Sequence, residues 1–299
     1  MRLMRIVLPL LTLSTLCACA IGVAQAQQNA QQNVQQNAQQ VTVPFSDPSR
    51  QGTLIIHLVQ GGVTIRGTNR KDVMIEAHAS EETRRFGRFG PNPRPFGRRG
   101  GDGDTTGLRR LTQAGGFVVE EDNNQVVVAS STMTRGTDFT IQVPTKTHLK
   151  LSALNDGPIV VENVEGEIEV HNQNESITLT NVAGSVVANA MNGTVKVIMA
   201  RLTADKAMAF TSFNGDVDVT LPASAKANLR MRSDMGEIFT DFDVQIRPAT
   251  PAAPQSARRS DGRVRIDFNQ SIQGTVNGGG PELEFRTFNG NIYVRKGAQ

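Results

Sequence analysis

Over the C-terminal half of the chain, apolar residues recur two positions apart. Ile159/Val161, Ile168/Val170, Ile177/Leu179, Val186/Ala188 and Val195/Val197 are such pairs, each with an intervening residue that is often polar. A period of two is the signature of a strand with one buried face, so each pair predicts one short β-strand.

The pairs are themselves periodic. Gly157, Gly166, Gly184 and Gly193 share one spacing, with Glu175 in the middle slot, and neighbouring slots are nine residues apart. Each apolar pair lies two and four residues after its slot, so the unit is one strand plus one turn. A slot glycine is read as a residue that can take positive φ where the chain turns. The unit returns less regularly as Phe213-Asn214-Gly215-Asp216-Val217-Asp218-Val219, Met235-Gly236-Glu237-Ile238 and Phe288-Asn289-Gly290-Asn291-Ile292-Tyr293-Val294.

Two architectures fit this pattern. Asn192-Gly193, Asn214-Gly215 and Asn289-Gly290 read alone as two-residue hairpin turns of an antiparallel meander. A stack of identical corner-plus-strand units is matched better by an all-β, single-domain β-solenoid, parallel β-helix-like, in which two units of nine make one coil. Earlier β-branched runs at Thr53–Ile56, Val63–Ile65, Val73–Ile75, Phe117–Val119, Val126–Val128 and Phe139–Ile141 extend the strand reading back toward Val41.

Two segments break the pattern. Residues 84–110 mix Arg, Gly, Pro and Phe, and residues 247–263 are rich in Pro, Ala, Ser and Arg. Both compositions oppose helices and ladders, which predicts two disordered insertions looped out of the strand-repeat domain. The Arg and Phe of the first could pair with and stack on a polyanion, against the plainer reading of a solvated loop.

The N-terminus changes the picture of where the chain works. Arg2 and Arg5 precede an apolar run from Ile6 to Leu16 and then small residues, the layout of a secretory leader over residues 1–26. The run is shorter than the about 20 residues that span a bilayer. Ala24-Gln25-Ala26 offers a peptidase site, and Leu16-Cys17-Ala18-Cys19 resembles a lipoprotein box in which Cys19 would carry a lipid anchor; both routes are open. Residues 27–40 are almost only Gln, Asn and Ala, a tether composition, and residues 41–299 form the repeat domain. The protein is therefore expected to be exported, periplasmic or at the cell surface, with membrane attachment only through Cys19.

Composition adds exclusions. The formal charge of +3 gives no ground for specific nucleic-acid binding. Both cysteines lie in the leader, so cleavage after Ala26 leaves no disulfide, thiol nucleophile or thiolate metal site. His57, His78, His148 and His171 stand singly, without metal-ligand spacing. Glu162, Glu165, Glu167 and Glu169 could touch a divalent cation, but nothing sets a coordination geometry and solvation is the plainer reading. The calcium-roll pattern and the phosphate-cradling glycine loop are both missing. No catalytic, cofactor-binding or metal residue is assigned, and no cofactor is expected.

The sharpest enzymatic alternative is a polysaccharide lyase or hydrolase on a β-helix. It would require Asp216, Asp218, Asp234 and Glu237 to converge in one cleft on adjacent coils. The plain reading makes Asp216 and Asp218 the wet face of an amphipathic strand.

VPTKTHLKLSALNDGPIVVENVEGEIEV, the run of Gly-x-Val-x-Val units and the closing TFNGNIYVRK resemble the putative adhesin family, domain of unknown function 4097, over roughly Thr53 to Lys296. The resemblance implies a solenoid-like domain in exported or membrane-attached proteins, with no catalytic residues to carry over. The functional expectation is a non-catalytic envelope binding or scaffold module whose partner is an envelope glycan or protein. The carbohydrate-active enzyme and an envelope-stress sensor or regulator are the alternatives.

Overall fold

The computed structural model describes residues 39–79, 117–130, 136–155, 157–247, 257–258, 264–265 and 271–297. The leader, the tether up to Ala38, residues 84–110 and most of 247–263 lie outside them. In the second segment, Arg247 ends a strand, and Ala257–Arg258 pairs antiparallel with Val264–Arg265 just beyond it.

The described residues are all-β, with no helix among them, and twenty strands join into one hydrogen-bonded sheet. Its pairings resolve into two ladders. The first runs, in spatial order, through β5 (Phe117–Asp122), β6 (Gln125–Ser130), β2 (Gly52–Gln60), β8 (Thr147–Asn155), β10 (Glu165–Asn172), the second half of β11 (Ile177–Ala190), β13 (Met208–Asn214), β21 (Glu282–Asn289), β15 (Ala227–Ser233), β20 (Ser271–Val276) and β17 (Gln245–Arg247). The second runs through β1 (Gln39–Pro44), β4 (Asp72–Ala79), β7 (Thr137–Pro144), β3 (Val63–Thr68), β9 (Ile159–Glu162), the first half of β11, β12 (Val195–Leu202), β14 (Val217–Leu221), β22 (Ile292–Lys296) and β16 (Ile238–Thr240). Pairing is parallel except at the ends, where β1, β4, β5, β17 and β20 pair antiparallel.

From β7 to β17 successive strands alternate between the ladders, β11 crossing from the second to the first, whereas β3 and β4, β5 and β6, and β20 and β21 follow one another within one ladder. Ile159 pairs in register with Ile177 and Ile177 with Val195, a step of eighteen residues, or two nine-residue units. The Asn-Gly pairs sit at corners between ladders: β12 pairs with β14 and β11 with β13, so Asn192-Gly193 and Asn214-Gly215 close no hairpin.

The inward residues form columns in one shared core. Ile159, Ile177, Val195, Val217 and Ile292 stack on the second ladder, all buried. On the first, Leu151, Val170, Ala188, Phe210, Phe285 and Met231 form one column, in which small Ala188 is followed by two phenylalanines whose rings stack 5.2 Å apart. Uniform apolar columns suit parallel strands buried on one side, because like side chains interdigitate at each rung.

The glycine slots work differently from the sequence expectation. Gly184 has positive φ, at 114°, whereas Gly193, Gly215 and Gly290 do not. At those corners neighbouring rungs approach too closely for a side chain: a Cβ on Gly215 would lie 2.4 Å from the Gly193 carbonyl oxygen.

A buried polar column secures the same corners. Three residues before the slot, Ser212, Thr287 and Ser233 donate hydroxyl hydrogen bonds to the carbonyls of Gly193 (2.8 Å), Gly215 (2.8 Å) and Gly290 (2.9 Å) on the neighbouring rung. Replacing Thr287 with valine keeps the shape and strips the Gly215 carbonyl of this donor. The expected loss is about 1 to 2 kcal/mol in denaturant unfolding; an unchanged midpoint would show that the hydroxyl is dispensable.

Candidate binding faces

Because inward and outward residues alternate, the fold also displays the polar residues as columns. The outer face of the second ladder carries Thr140, Thr64, Val160, Thr178, Lys196, Asp218, Tyr293 and Phe239 in rung order. On the first ladder one column reads Lys150, Glu169, Val187, Ala209, Glu284, Arg230, Gln273 and Arg247.

Aromatic residues cap both surfaces. Phe213 and Phe288 stack with ring centroids 4.8 Å apart and planes 3° from parallel, and both remain about half exposed. Phe239 and Tyr293 stack at 5.2 Å and 10°, with the Arg295 guanidinium 5.0 Å from the Tyr293 ring centroid. Beside the first pair runs an amide ladder, in which Asn192 Nδ2 donates to Asn174 Oδ1 at 3.1 Å and Asn214 Nδ2 donates to Asn192 Oδ1 at 2.9 Å. At the opposite corner Asn181 donates to Asn163 at 2.6 Å, both with positive φ. The sequence signal for the first pair was the Phe-Asn-Gly triplet at 213–215 and 288–290, which the fold sets on adjacent rungs.

The carboxylates singled out for acid–base chemistry are held apart. Asp216 and Asp218 belong to the β14 rung and Glu237 to the β16 rung, with β22 between them, so they are not on adjacent coils. Asp216 accepts the backbone N–H of Asn291 at 2.7 Å, and Asp218 pairs with Arg295 at 2.9 Å. Asp234 lies on the first-ladder side and pairs with Arg232 at 2.8 Å. Asp218 raises the Arg295 pKa through its hydrogen bond and its charge.

Among the acidic residues, Glu162 pairs with Arg66 and Glu165 with Arg201, at 2.9 and 2.7 Å. Glu167 pairs with Lys206, whose hydrogen bond and charge hold its carboxyl below the usual range. His171 lies 3.0 Å from Glu169, and His148 Nδ1 accepts the Glu167 N–H at 3.0 Å. His78 lies 4.0 Å from Glu76 on β4, and His57 stands on β2. Among the described residues no group of three or more His, Cys, Asp and Glu is placed to hold a metal ion.

One carboxylate ties a loop to the end of the first ladder. Glu121 accepts from the Ser46 hydroxyl at 2.6 Å and the Ser46 N–H at 3.0 Å, and these bonds lower its pKa. A depressed folded pKa contributes stability above the unfolded value, lost as pH falls through the folded one. Ser46→Ala is therefore expected to move the Glu121 titration upward in a carboxyl-carbon NMR experiment, and an unmoved midpoint would discount the Ser46 bonds.

No family model matches the chain, and no curated protein matches it. The resemblance to the domain of unknown function 4097 family is therefore not matched by any family model. Two solved structures are similar. One is described as a putative cell adhesion protein from Clostridium sporogenes ATCC 15579, with a TM-score of 0.40 and 10% identity over 87% of this chain and 100% of that one. The other is described as a putative adhesin from Bacteroides fragilis NCTC 9343, with a TM-score of 0.32 and 11% identity over 87% and 96%. Likenesses this distant carry no argument about what this chain does.

Proposed function

We propose that the chain is a non-catalytic, exported envelope protein, a β-solenoid that binds or scaffolds through its outer ladders in the manner of an adhesin. The observation that carries this reading is the pair of partly exposed aromatic stacks, Phe213/Phe288 and Phe239/Tyr293, set among in-register amide, hydroxyl and guanidinium groups. Exposed apolar surface bordered by ordered polar groups suits recognition of another surface. The solenoid reading is supported by the eighteen-residue register and by the alternation of β7 to β17 between the two ladders. The ligand class that fits is an envelope glycan or a protein partner, with the leader and the Gln/Asn-rich tether placing the domain in the periplasm or at the surface.

The test is retention of the full chain, recovered after export, on an array of peptidoglycan fragments and bacterial and host glycans, with mass spectrometry of the same samples. Retention without product is expected. Shortened or unsaturated sugars would overturn the reading and redirect attention to Asp216 and Asp218.

A further inference from the structure

We infer that the last rows of the first ladder bind a carboxylate-bearing sugar of an acidic polysaccharide, clamped between Arg230 and Arg247. The inference rests on the glycan-binding reading above and gives it a ligand class.

Arg230 on β15 and Arg247 on β17 are both register partners of Gln273 on the intervening β20. Strand spacing places the two arginine backbones roughly 10 Å apart, flanking the glutamine amide. Both side chains are exposed, and among the described residues neither makes a hydrogen bond or an ion pair. Nearby Arg232, by contrast, is held by Asp234. Arg230, Arg247, Gln273, Asn228 and Glu282 line a cavity of about 300 Å³.

A guanidinium presents a planar fork of donors that matches a carboxylate in two parallel hydrogen bonds. Two such forks on either side of an amide form an anion clamp with a neutral donor and acceptor at its centre. Glu282 in the wall, and Glu284 in register with Arg230, set the ligand class more narrowly. They repel a dense polyanion such as a nucleic-acid backbone, and they accept hydrogen bonds from hydroxyls. A group with one carboxylate surrounded by hydroxyls satisfies both sides of the site, and a uronate residue has that chemistry.

The experiment is calorimetric titration of the exported full chain with oligogalacturonate, its methyl-esterified form and polyglutamate. It is repeated for the Arg230→Gln/Arg247→Gln double variant and for Lys71→Gln, an exposed residue just before β4 that belongs to neither outer column. All three substituted residues are exposed, and unchanged melting would verify the fold of each variant. The double variant is expected to lose about tenfold or more in affinity for oligogalacturonate, Lys71→Gln to bind as the parent does, and the ester to bind no better than the double variant. Undiminished binding by the double variant, or equal binding of the ester, overturns this site and leaves the glycan-binding reading standing. Tighter binding of polyglutamate overturns the sugar assignment, and retention of no glycan of any kind overturns both readings.

Discussion

Replacing Phe285 with alanine is expected to lower the unfolding free energy by about 4 kcal/mol. The ring is fully buried, stacked at 5.2 Å on Phe210 and flanked on its other side by Met231, its register partner on β15. The lost transfer energy is one part of the cost and the cavity is the other. Hydrogen bonding fixes the spacing between rungs, so β13 and β15 cannot close around the space as loosely joined elements could. Phe288, three residues along the same strand, provides the control. It is 41% exposed and stacks only on Phe213, so Phe288→Ala is expected to cost less than about 1.5 kcal/mol. Equal losses in denaturant unfolding would show that the inward column does not carry the stability assigned to it.

Gly290→Ala is expected to cost about 3 kcal/mol although it adds one methyl group at a partly exposed corner. Its Cβ would lie 2.2 Å from the carbonyl oxygen of Gly215 and 2.6 Å from the carbonyl carbon. These are backbone atoms of the neighbouring rung, so the new atom must push β13 and β21 apart and disturb the hydrogen bonds that join them. Gly278 separates this effect from conformational strain. Its φ is 86° and a Cβ there would meet nothing within 4 Å, so Gly278→Ala pays only the left-handed penalty of about 1 to 2 kcal/mol. A larger loss at Gly278 than at Gly290 would return the slot glycines to the role of positive-φ residues.

The same corners show how far the sequence could be read. The pairs Ile159/Val161 through Val195/Val197 state the strand period and the inward face directly, because burial acts on every second side chain. The nine-residue step gives the register, since two steps bring Ile159 under Ile177 and Ile177 under Val195. The role of the slot glycine is hidden in the sequence because positive φ and close approach select the same residue, and only distances between rungs separate them. The hydroxyls of Ser212, Ser233 and Thr287 are not legible in the sequence, because a lone Ser or Thr near a turn looks solvated, whereas here it meets a carbonyl on another rung.

The candidate site was less legible. Asp216, Asp218, Asp234 and Glu237 lie within a short stretch of sequence, which invites a cleft. The chain order 13–14, 15–16, 21–22 becomes the spatial order 13–14, 21–22, 15–16, and the C-terminal rung separates them. Strand units of similar period do not encode which copy lies next to which. Arg230 and Arg247 likewise come together only because β20 returns between β15 and β17.

That insertion of the C-terminal strands has a consequence for biosynthesis. During vectorial synthesis β15 and β16 emerge before β21 and β22, yet their parallel neighbours are the two strands made last. Until those strands arrive, β13 and β14 keep one open edge each, with Phe210 lacking the ring that covers it. A chain of this design cannot wind itself up from one end as it is made. It must hold a gap for its own final segment, and the long sequence separation of those contacts makes this closure a slow, aggregation-exposed step. An exported chain that crosses the membrane before folding would meet that step with all of its strands already present.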